Sequence, residues 1–224
     1  MKFSIASVDS ILITFCSEIN INCAKELYKL YTLLKKEPLI KEVVISYSSI
    51  LIRFDILKSD FKEVKKRVLE LYKETKELSF KKKSKVIKIP VYYSIEVGAD
   101  LKRVAKLNSL SIEEVIAIHS NKSYYVYAIG FLPGFAYMGE VDRKIATPRL
   151  DSPRKEVIKG SVAIANTQTS IYPKNSAGGW NIIGRTPLEL LSFNYDRYSL
   201  LEVGDMVEFI PITKKEFLKL GGKI

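Results

Sequence analysis

Alternating hydrophobic and polar positions mark the first third of the chain as a mixed α/β region. Ile11, Ile13 and Phe15 alternate with polar or small residues, which is the period of a half-buried strand. Residues 24–36 then repeat apolar positions at spacings of three and four, which predicts an amphipathic helix with Asn22 as its candidate N-cap. The pattern therefore begins with a strand followed by a helix.

Two further alternating runs, residues 43–47 and 50–54, flank a Ser-Ser pair and predict a tight β-hairpin. A second helix is predicted from Asp60, because Glu63 three residues later makes a capping-box-like start. Strand, helix, strand, strand, helix is the order of a ferredoxin-like α/β sandwich that still needs one strand. Residues 85–93 (KVIKIPVYY) are the candidate fourth strand.

A lysine-rich segment at residues 79–84 separates this pattern from the remainder of the chain and is interpreted as a basic linker. The predicted organisation is a ferredoxin-like N-terminal domain with its linker at residues 1–84 and a second domain at residues 85–224.

The second domain opens with two predicted helices. One covers residues 100–108, and the other begins at Ser111, where Glu114 completes an S-x-x-E capping box. Helical spacing places His119, the sole histidine, on the apolar face at the end of the second helix. Two interpretations stay open for it, a packing histidine held by hydrogen bonds or a catalytic group beside the loops that come next in the chain.

Residues 130–187 hold seven of the eleven glycines, five of the eight prolines and four of the eight arginines. Short strands separated by glycine-rich turns predict a closed or nearly closed β-barrel, so the fold class is α+β. The remainder of the chain prefers lysine, whereas arginine offers a planar fork for carboxylate or phosphate. These loops are therefore a candidate small-anion site, the alternative being ordinary turn residues and surface ion pairs.

The formal charge of +11 comes largely from lysines interleaved with glutamates between residues 58 and 88, a pattern typical of a solvated helix face. No nucleic-acid-binding motif accompanies it, so no nucleic acid partner is predicted. No uninterrupted apolar segment predicts a signal peptide or a membrane span, and a cytoplasmic protein is expected.

Cys16 and Cys23 lack histidine neighbours and a CxxC spacing, which predicts two buried reduced thiols and no metal site.

Standard catalytic motifs are absent from the sequence. It contains no GxxxxGK[ST] phosphate loop, no GxGxxG after a strand, no GxSxG elbow and no HExxH. A nucleotide would need an unfamiliar cradle. The backbone N–H groups near Gly178 and Gly179 and the charges of Arg149, Arg154 and Arg185 could supply one.

Six ordered motifs in this chain, GFLPGFAYMG, PRLDSPR, GSVAIA, QTSIYP, GGWNIIGRTP and LEVGDMVEF, resemble the 5-oxoprolinase B-subunit family. The same family is called allophanate hydrolase subunit 1 and includes KipI-like inhibitors of a histidine kinase. The resemblance is continuous from His119 to Phe209 and looser toward the N-terminus. One departure is Ala177, where the family usually has proline before Gly-Gly-Trp.

The resemblance implies a ferredoxin-like N-terminal domain and a cyclophilin-like C-terminal barrel. It implies two partners, the C subunit (KipA-like, allophanate hydrolase subunit 2-like) and the A subunit of the same enzyme. Together these proteins would open 5-oxoproline to L-glutamate with ATP as co-substrate, the isolated chain being inactive. The alternatives are a KipI-like inhibitor of a histidine kinase and a carboxyltransferase-type component acting on urea or a related amide.

Site residues are hypotheses drawn from the same motifs. Arg149 and Arg154 are predicted to hold an anion, and His119 to orient groups or relay a proton at the pocket edge. The residues predicted to bind substrate or anion by backbone donation, stacking or charge are Gly178, Gly179, Trp180 and Arg185. The residues predicted to form either a rigid aromatic turn or a ligand or subunit surface are Pro133, Gly134, Phe135 and Tyr137.

Overall fold

A computed structural model of the chain describes residues 1–77, 86–193 and 198–224. The chain divides into two compact units, Met1–Lys83 and Ser84–Ile224. The predicted basic linker at residues 79–84 lies outside the described residues.

The N-terminal unit is a four-stranded antiparallel sheet with two helices. The strands lie in the order β1-β2-β4-β3. The elements are β1 (Lys2–Ser7), β2 (Ser10–Thr14), α1 (Ile21–Leu34), β3 (Ile40–Ser46), β4 (Ser49–Phe54) and α2 (Phe61–Glu77).

The alternating positions of β2 and β4 form the core of this unit. Ile11 and Ile13 of β2 and Ile50 and Ile52 of β4 are completely buried, whereas Leu12 between them is exposed. Apolar side chains at helical spacing in α1 pack toward the sheet and toward α2. The predicted strand, helices and hairpin are confirmed, because each pattern matches the one face that can be buried.

The start of α1 differs from the prediction. Asn20, not Asn22, is the N-cap, and its side chain accepts a hydrogen bond from the Cys23 backbone N–H at 2.9 Å. This turn brings the first turn of α1 back toward the end of β2, so Cys16 and Cys23 approach to a Cα–Cα distance of 6.4 Å and form a disulfide. The prediction of two reduced thiols is wrong, since a separation of seven residues is sufficient once a turn intervenes.

The predicted fourth strand also belongs elsewhere. Val86–Val91 (β5) pairs in parallel with a strand of the C-terminal unit. The edge beside β2 is filled instead by β1, which reaches it through a tight hairpin. The alternation of Phe3 and Ile5 is the sequence signal for this strand.

The C-terminal unit is built around a seven-stranded sheet in the order β12-β9-β10-β7-β6-β13-β5. A two-stranded sheet, β11-β8, accompanies it. The elements are β5 (Val86–Val91), α3 (Leu101–Leu107), α4 (Ile112–Ser120), β6 (Ser123–Ile129), β7 (Ala136–Gly139), a 3-10 helix (Arg143–Ile145), β8 (Arg154–Val157), β9 (Ser161–Ala165), β10 (Gln168–Ile171), β11 (Ser176–Gly178), β12 (Asn181–Arg185), β13 (Met206–Pro211) and α5 (Lys214–Lys219).

The two outer strands of the seven-stranded sheet meet at one seam. Tyr92, directly after β5, exchanges two backbone hydrogen bonds of 2.8 and 3.0 Å with Arg185 at the end of β12. Gly184 permits this approach, because a Cβ there would lie 2.9 Å from the Tyr92 carbonyl oxygen. The sheet is therefore a nearly closed barrel, and the α+β class is confirmed.

Helix starts in this unit agree with the sequence signals. Ser111 and Glu114 form the reciprocal capping box of α4. Among the described residues, no helix combines the length and apolar content needed to cross a membrane.

Candidate functional site

One cavity of about 310 Å³ lies where the motif loops meet the barrel. We call it the aromatic pocket, because five of its eleven lining residues are aromatic. Its lining residues are Phe131, Phe135, Tyr137, Arg149, Ala165, Asn166, Gln168, Tyr172, Gly178, Gly179 and Trp180.

The wall of the aromatic pocket is a set of rings packed edge to face. The ring centroid of Phe135 lies 5.0 Å from Tyr137, 5.3 Å from Tyr172 and 5.5 Å from Trp180. Phe135 and Trp180 are buried in a small core cluster behind the cavity. The rings thus contact one another as well as the cavity, in the edge-to-face arrangement that aromatic pairs prefer.

The GFLPGF turn sets the position of Phe135. Gly134 has a φ of +74°, and a Cβ there would lie 2.6 Å from a methyl group of Leu191. Only glycine meets both conditions without strain. Pro133 is exposed at the tip of this turn.

The two motif glycines bring β11 close to the cavity. A Cβ on Gly178 would collide with the Tyr172 hydroxyl group, and one on Gly179 would lie 3.7 Å from Nη2 of Arg149. The absence of both side chains keeps the space between Tyr172 and Arg149 open.

Arg149 is the cation of the aromatic pocket. Its side chain is exposed at the cavity, and no carboxylate of the described residues pairs with its guanidinium group. The flanking backbone is held on both sides: the Pro148 carbonyl accepts from the Asn181 side chain at 2.9 Å, and the Leu150 N–H donates to the Gly179 carbonyl at 2.8 Å. A fixed backbone presents an unneutralised guanidinium group to the cavity.

Asn181 is a buried residue beside the site that the motif hypotheses omitted. It is completely buried, and its amide Nδ2 donates to the carbonyls of Pro148 at 2.9 Å and Ile164 at 3.1 Å. It ties the Arg149 loop to β9 and is therefore a positioning residue. Its place directly after Trp180 in GGWN is the one sequence signal for it.

The electrostatics of the pocket favour a neutral phenol beside a cation. Burial raises the pKa of Tyr172, and the Trp180 backbone N–H and the guanidinium groups of Arg149 and Arg154 oppose that rise. Burial likewise raises the pKa of Tyr137, against the effect of Arg149. Both hydroxyl groups are therefore protonated near neutral pH and can donate hydrogen bonds.

Arg154 does not share the role of Arg149. Its Nη2 lies 2.6 Å from Oδ1 of Asp100, a buried carboxylate whose Oδ2 accepts the Ile182 N–H at 2.7 Å. Its charge is thus already neutralised, and Arg154 is not among the residues lining the aromatic pocket. The structure therefore gives Arg154 a carboxylate partner and leaves Arg149 at the cavity, and a joint role of the two arginines on one anion stays a prediction.

Arg185 also lies outside the aromatic pocket. It lines a second cavity, near the seam of the barrel. Arg185 does not share a site with Trp180, because β12 runs from Asn181 to Arg185 and carries Arg185 to its far end. Its predicted role in binding an anion stays a prediction.

His119 is completely buried in the barrel core and does not line the aromatic pocket. Its Nε2 lies 2.9 Å from the Thr169 hydroxyl, which itself donates to the Ala163 carbonyl, so Nε2 carries the hydrogen. Nδ1 therefore accepts from the Tyr93 hydroxyl at 2.7 Å. Burial lowers the pKa of His119 to about 3. This is the packing interpretation; a proton relay at the pocket edge does not fit the geometry.

The pocket suits a small singly charged anion better than a nucleotide. Arg149 is the one cationic residue among its lining residues, which include no carboxylate. Among the described residues there is also no cluster of three or more histidine, cysteine or acidic side chains that could hold a metal ion. One cationic side chain does not balance the several negative charges of a triphosphate.

Comparison with known proteins places these features in a family. Residues 1–201 match the model of the carboxyltransferase domain, subdomain C and D. The chain is 44% identical over 161 residues to the 5-oxoprolinase B subunit of Bacillus subtilis, covering 72% of this chain and 67% of the relative. It is 39% identical over 186 residues to the protein of the same name from Haemophilus influenzae, covering 83% and 86%.

Solved structures share the fold. TTHA0988 is 30% identical with a TM-score of 0.79; the match covers 91% of this chain and only 40% of that longer chain. Kluyveromyces lactis urea carboxylase matches 97% of this chain and 22% of its own with a TM-score of 0.75, and at 22% identity it shows the fold alone. The resemblance seen in the motifs is confirmed: the chain belongs to the carboxyltransferase-domain family, subdomains C and D, together with relatives named as the B subunit of 5-oxoprolinase.

Proposed function

We propose that this chain is the B subunit of a 5-oxoprolinase and that its aromatic pocket binds the substrate 5-oxoproline. The observation that carries the proposal is the unpaired guanidinium group of Arg149 at an aromatic cavity, in a chain whose relatives carry that name. 5-Oxoproline is a flat five-membered lactam with one carboxylate, and it matches a cavity with one cation and aromatic side chains in its wall.

Each part of the pocket has a role toward this substrate. Arg149 pairs with the carboxylate, and Phe135 and Trp180 pack against the ring. The protonated phenol of Tyr172 donates a hydrogen bond to an oxygen of the ligand. A charge-assisted hydrogen bond contributes about 1.5–3 kcal/mol, so Arg149 provides much of the selectivity for an acidic lactam.

The complete reaction needs partners in this proposal. The C and A subunits of the enzyme act with this chain in a cytoplasmic complex, and ATP is the co-substrate of the whole assembly. Because the aromatic pocket does not fit a triphosphate, the nucleotide is assigned to another subunit. The length of TTHA0988, of which this chain spans 40%, supports a fold that works beside further polypeptide.

The experiment is an ATP-dependent glutamate-release assay on the complex reconstituted with the A and C subunits. Arg149→Ala and Arg149→Lys are compared with Arg143→Ala, which removes an exposed arginine outside the pocket. Neither alanine nor lysine can make the two parallel hydrogen bonds that a guanidinium group donates to a carboxylate. Both Arg149 variants should therefore show kcat/KM lowered roughly 10- to 100-fold. Arg143→Ala should retain full activity.

Wild-type activity in both Arg149 variants, with assembly verified by size-exclusion chromatography, would contradict the assigned pocket. If the assembled wild-type complex releases no glutamate, urea and related amides become the substrates to assay. The second candidate function is a carboxyltransferase-type component acting on such amides, and the fold shared with urea carboxylase supports it. Inhibition of a histidine kinase that is equal for wild type and Arg149→Ala would instead favour the KipI-like role.

We also propose a more specific fold for each unit. In the N-terminal unit, β1 occupies the sheet edge that the last strand of a ferredoxin-like sandwich would fill, so the order β1-β2-β4-β3 is a variant of that fold. The nearly closed C-terminal sheet corresponds to the cyclophilin-like barrel that the family resemblance implies, and the domain boundary lies near residue 84.

A further inference from the structure

A second cavity of about 220 Å³ lies beside the seam of the barrel. We call it the seam cavity. Four segments line it: the turn at Gly160, the chain at Pro173, the strand end at Arg185–Glu189, and the chain from Phe217 to Lys223. It shares no lining residue with the aromatic pocket.

Arg185 is half-buried in the wall of the seam cavity and has no carboxylate partner among the described residues. Its Nη1 donates to the Lys223 carbonyl at 2.9 Å. Its Nε is buried without an acceptor, and its Nη2 is neither buried nor bonded to the described residues. Burial lowers the pKa of Arg185. A guanidinium group in this position lacks the counter-charge that normally accompanies a partly buried cation.

The neighbouring side chains increase the positive charge. Lys159 and Lys223 also line the seam cavity, and its single carboxylate, Glu189, already pairs with Lys159. The Thr186 hydroxyl accepts the Leu188 N–H at 3.2 Å, while its own hydrogen has no acceptor in the described part of the chain. A free hydroxyl hydrogen therefore lies next in sequence to the unneutralised guanidinium group.

We propose that the seam cavity is a second anion-binding site that takes a small oxoanion, a carboxylate or a phosphate group. Arg185 supplies the charge and the planar donors, and Thr186 supplies a neutral donor. Gly160, with a φ of +80°, keeps the turn tight against the Thr186 carbonyl, where a side chain would collide. The motif GRTP thus serves a site separate from the one that contains Trp180.

The test is an NMR titration of the 224-residue chain, observing arginine Nε–Hε signals. The Arg185 signal is assigned by its loss in Arg185→Lys. Inorganic phosphate, acetate and chloride are added separately at equal ionic strength. The Arg185 signal should move saturably with phosphate or acetate and not with chloride; phosphate alone would identify a phosphate-bearing ligand, and acetate alone a carboxylate.

Variants separate the two sites and do not depend on turnover. Arg149→Gln should leave the titration of the Arg185 signal unchanged, whereas Thr186→Val should weaken the response about threefold or more. An Arg185 signal that moves no further in phosphate or acetate than in chloride overturns the proposal. So does a response that disappears in Arg149→Gln, because the anion would then lie in the aromatic pocket.

Discussion

Arg149, Arg154 and Arg185 differ in the partners of their guanidinium groups. Asp100 pairs with Arg154, a backbone carbonyl accepts from Arg185, and the guanidinium group of Arg149 faces a cavity. Ion pairing removes the capacity of Arg154 to attract a ligand, whereas the other two keep it. One buried carboxylate, Asp100, therefore distinguishes Arg154 from the other two arginines.

His119 is the residue that should make the folded state sensitive to acid. Its folded-state pKa of about 3 lies below the unfolded value of 6.5, because burial disfavours the charged ring. Below pH 6.5 the unfolded chain binds a proton that the folded chain excludes. The free energy of unfolding should therefore fall by about 1.4 kcal/mol per pH unit from pH 6.5 toward pH 3.

Urea denaturation at pH values of about 7.5, 6.5, 5.5 and 4.5 measures this slope for the wild type and for His119→Asn. The variant lacks the titrating ring, so the two stability curves should converge as the pH falls. Curves that stay parallel would contradict the prediction. If the variant does not fold, the Cε1–H signal of His119 in the wild-type protein should remain unshifted down to about pH 5.

Short elements form the aromatic pocket by close backbone approach. β11 lies against Tyr172 at Gly178, and the loop containing Arg149 is hydrogen-bonded to Gly179 and to the Asn181 side chain at the start of β12. These contacts set the distance between β11 and Tyr172 and the distance between the Arg149 loop and Gly179. The opening between Tyr172 and Arg149 therefore depends on this spacing.

Gly178→Ala tests the spacing directly. The new methyl group would collide with the Tyr172 hydroxyl, and overpacking of this kind costs about 1–3 kcal/mol. Gly130→Ala is the matched control, because a Cβ there meets no atom within 4 Å. Urea denaturation should show a clear loss of stability for Gly178→Ala and little change for Gly130→Ala. Equal stability of the two variants would show that β11 moves away from Tyr172 without cost.

In the molecule as a whole, β5 decides where the C-terminal unit begins. It pairs in parallel with β13, buries Ile87, Ile89 and Val91, and leads into the seam at Tyr92. A strand that comes directly after the lysine-rich segment in sequence thus completes the barrel and not the N-terminal sheet.

Two fragments test this assignment. Residues 84–224 should unfold cooperatively and give dispersed amide NMR signals, because every strand of the barrel is retained. Residues 92–224 lack only β5, which exposes an edge of β13 and removes three buried side chains, so this fragment should not fold. Comparable folding of both fragments would show that the barrel does not need β5.

Local patterns were sufficient for much of the fold and for part of the site. The helices, the hairpin and the capping box at Ser111 depend on residues within a few positions of one another, so periodicity and capping signals predicted them. The motif stretch also pointed to Arg149 and Trp180. It missed Asn181, because a buried amide acts through carbonyls that are distant in sequence, at Pro148 and Ile164.

The order and type of most elements, the α+β class and the family could thus be read from the chain alone. Only the tertiary structure decided four features: the strand partners, the Cys16–Cys23 disulfide, the ion pair of Arg154 with Asp100 and the burial of His119. Helix and strand periodicity depends on neighbours along the chain, whereas strand pairing, desolvation and charge compensation depend on neighbours in space.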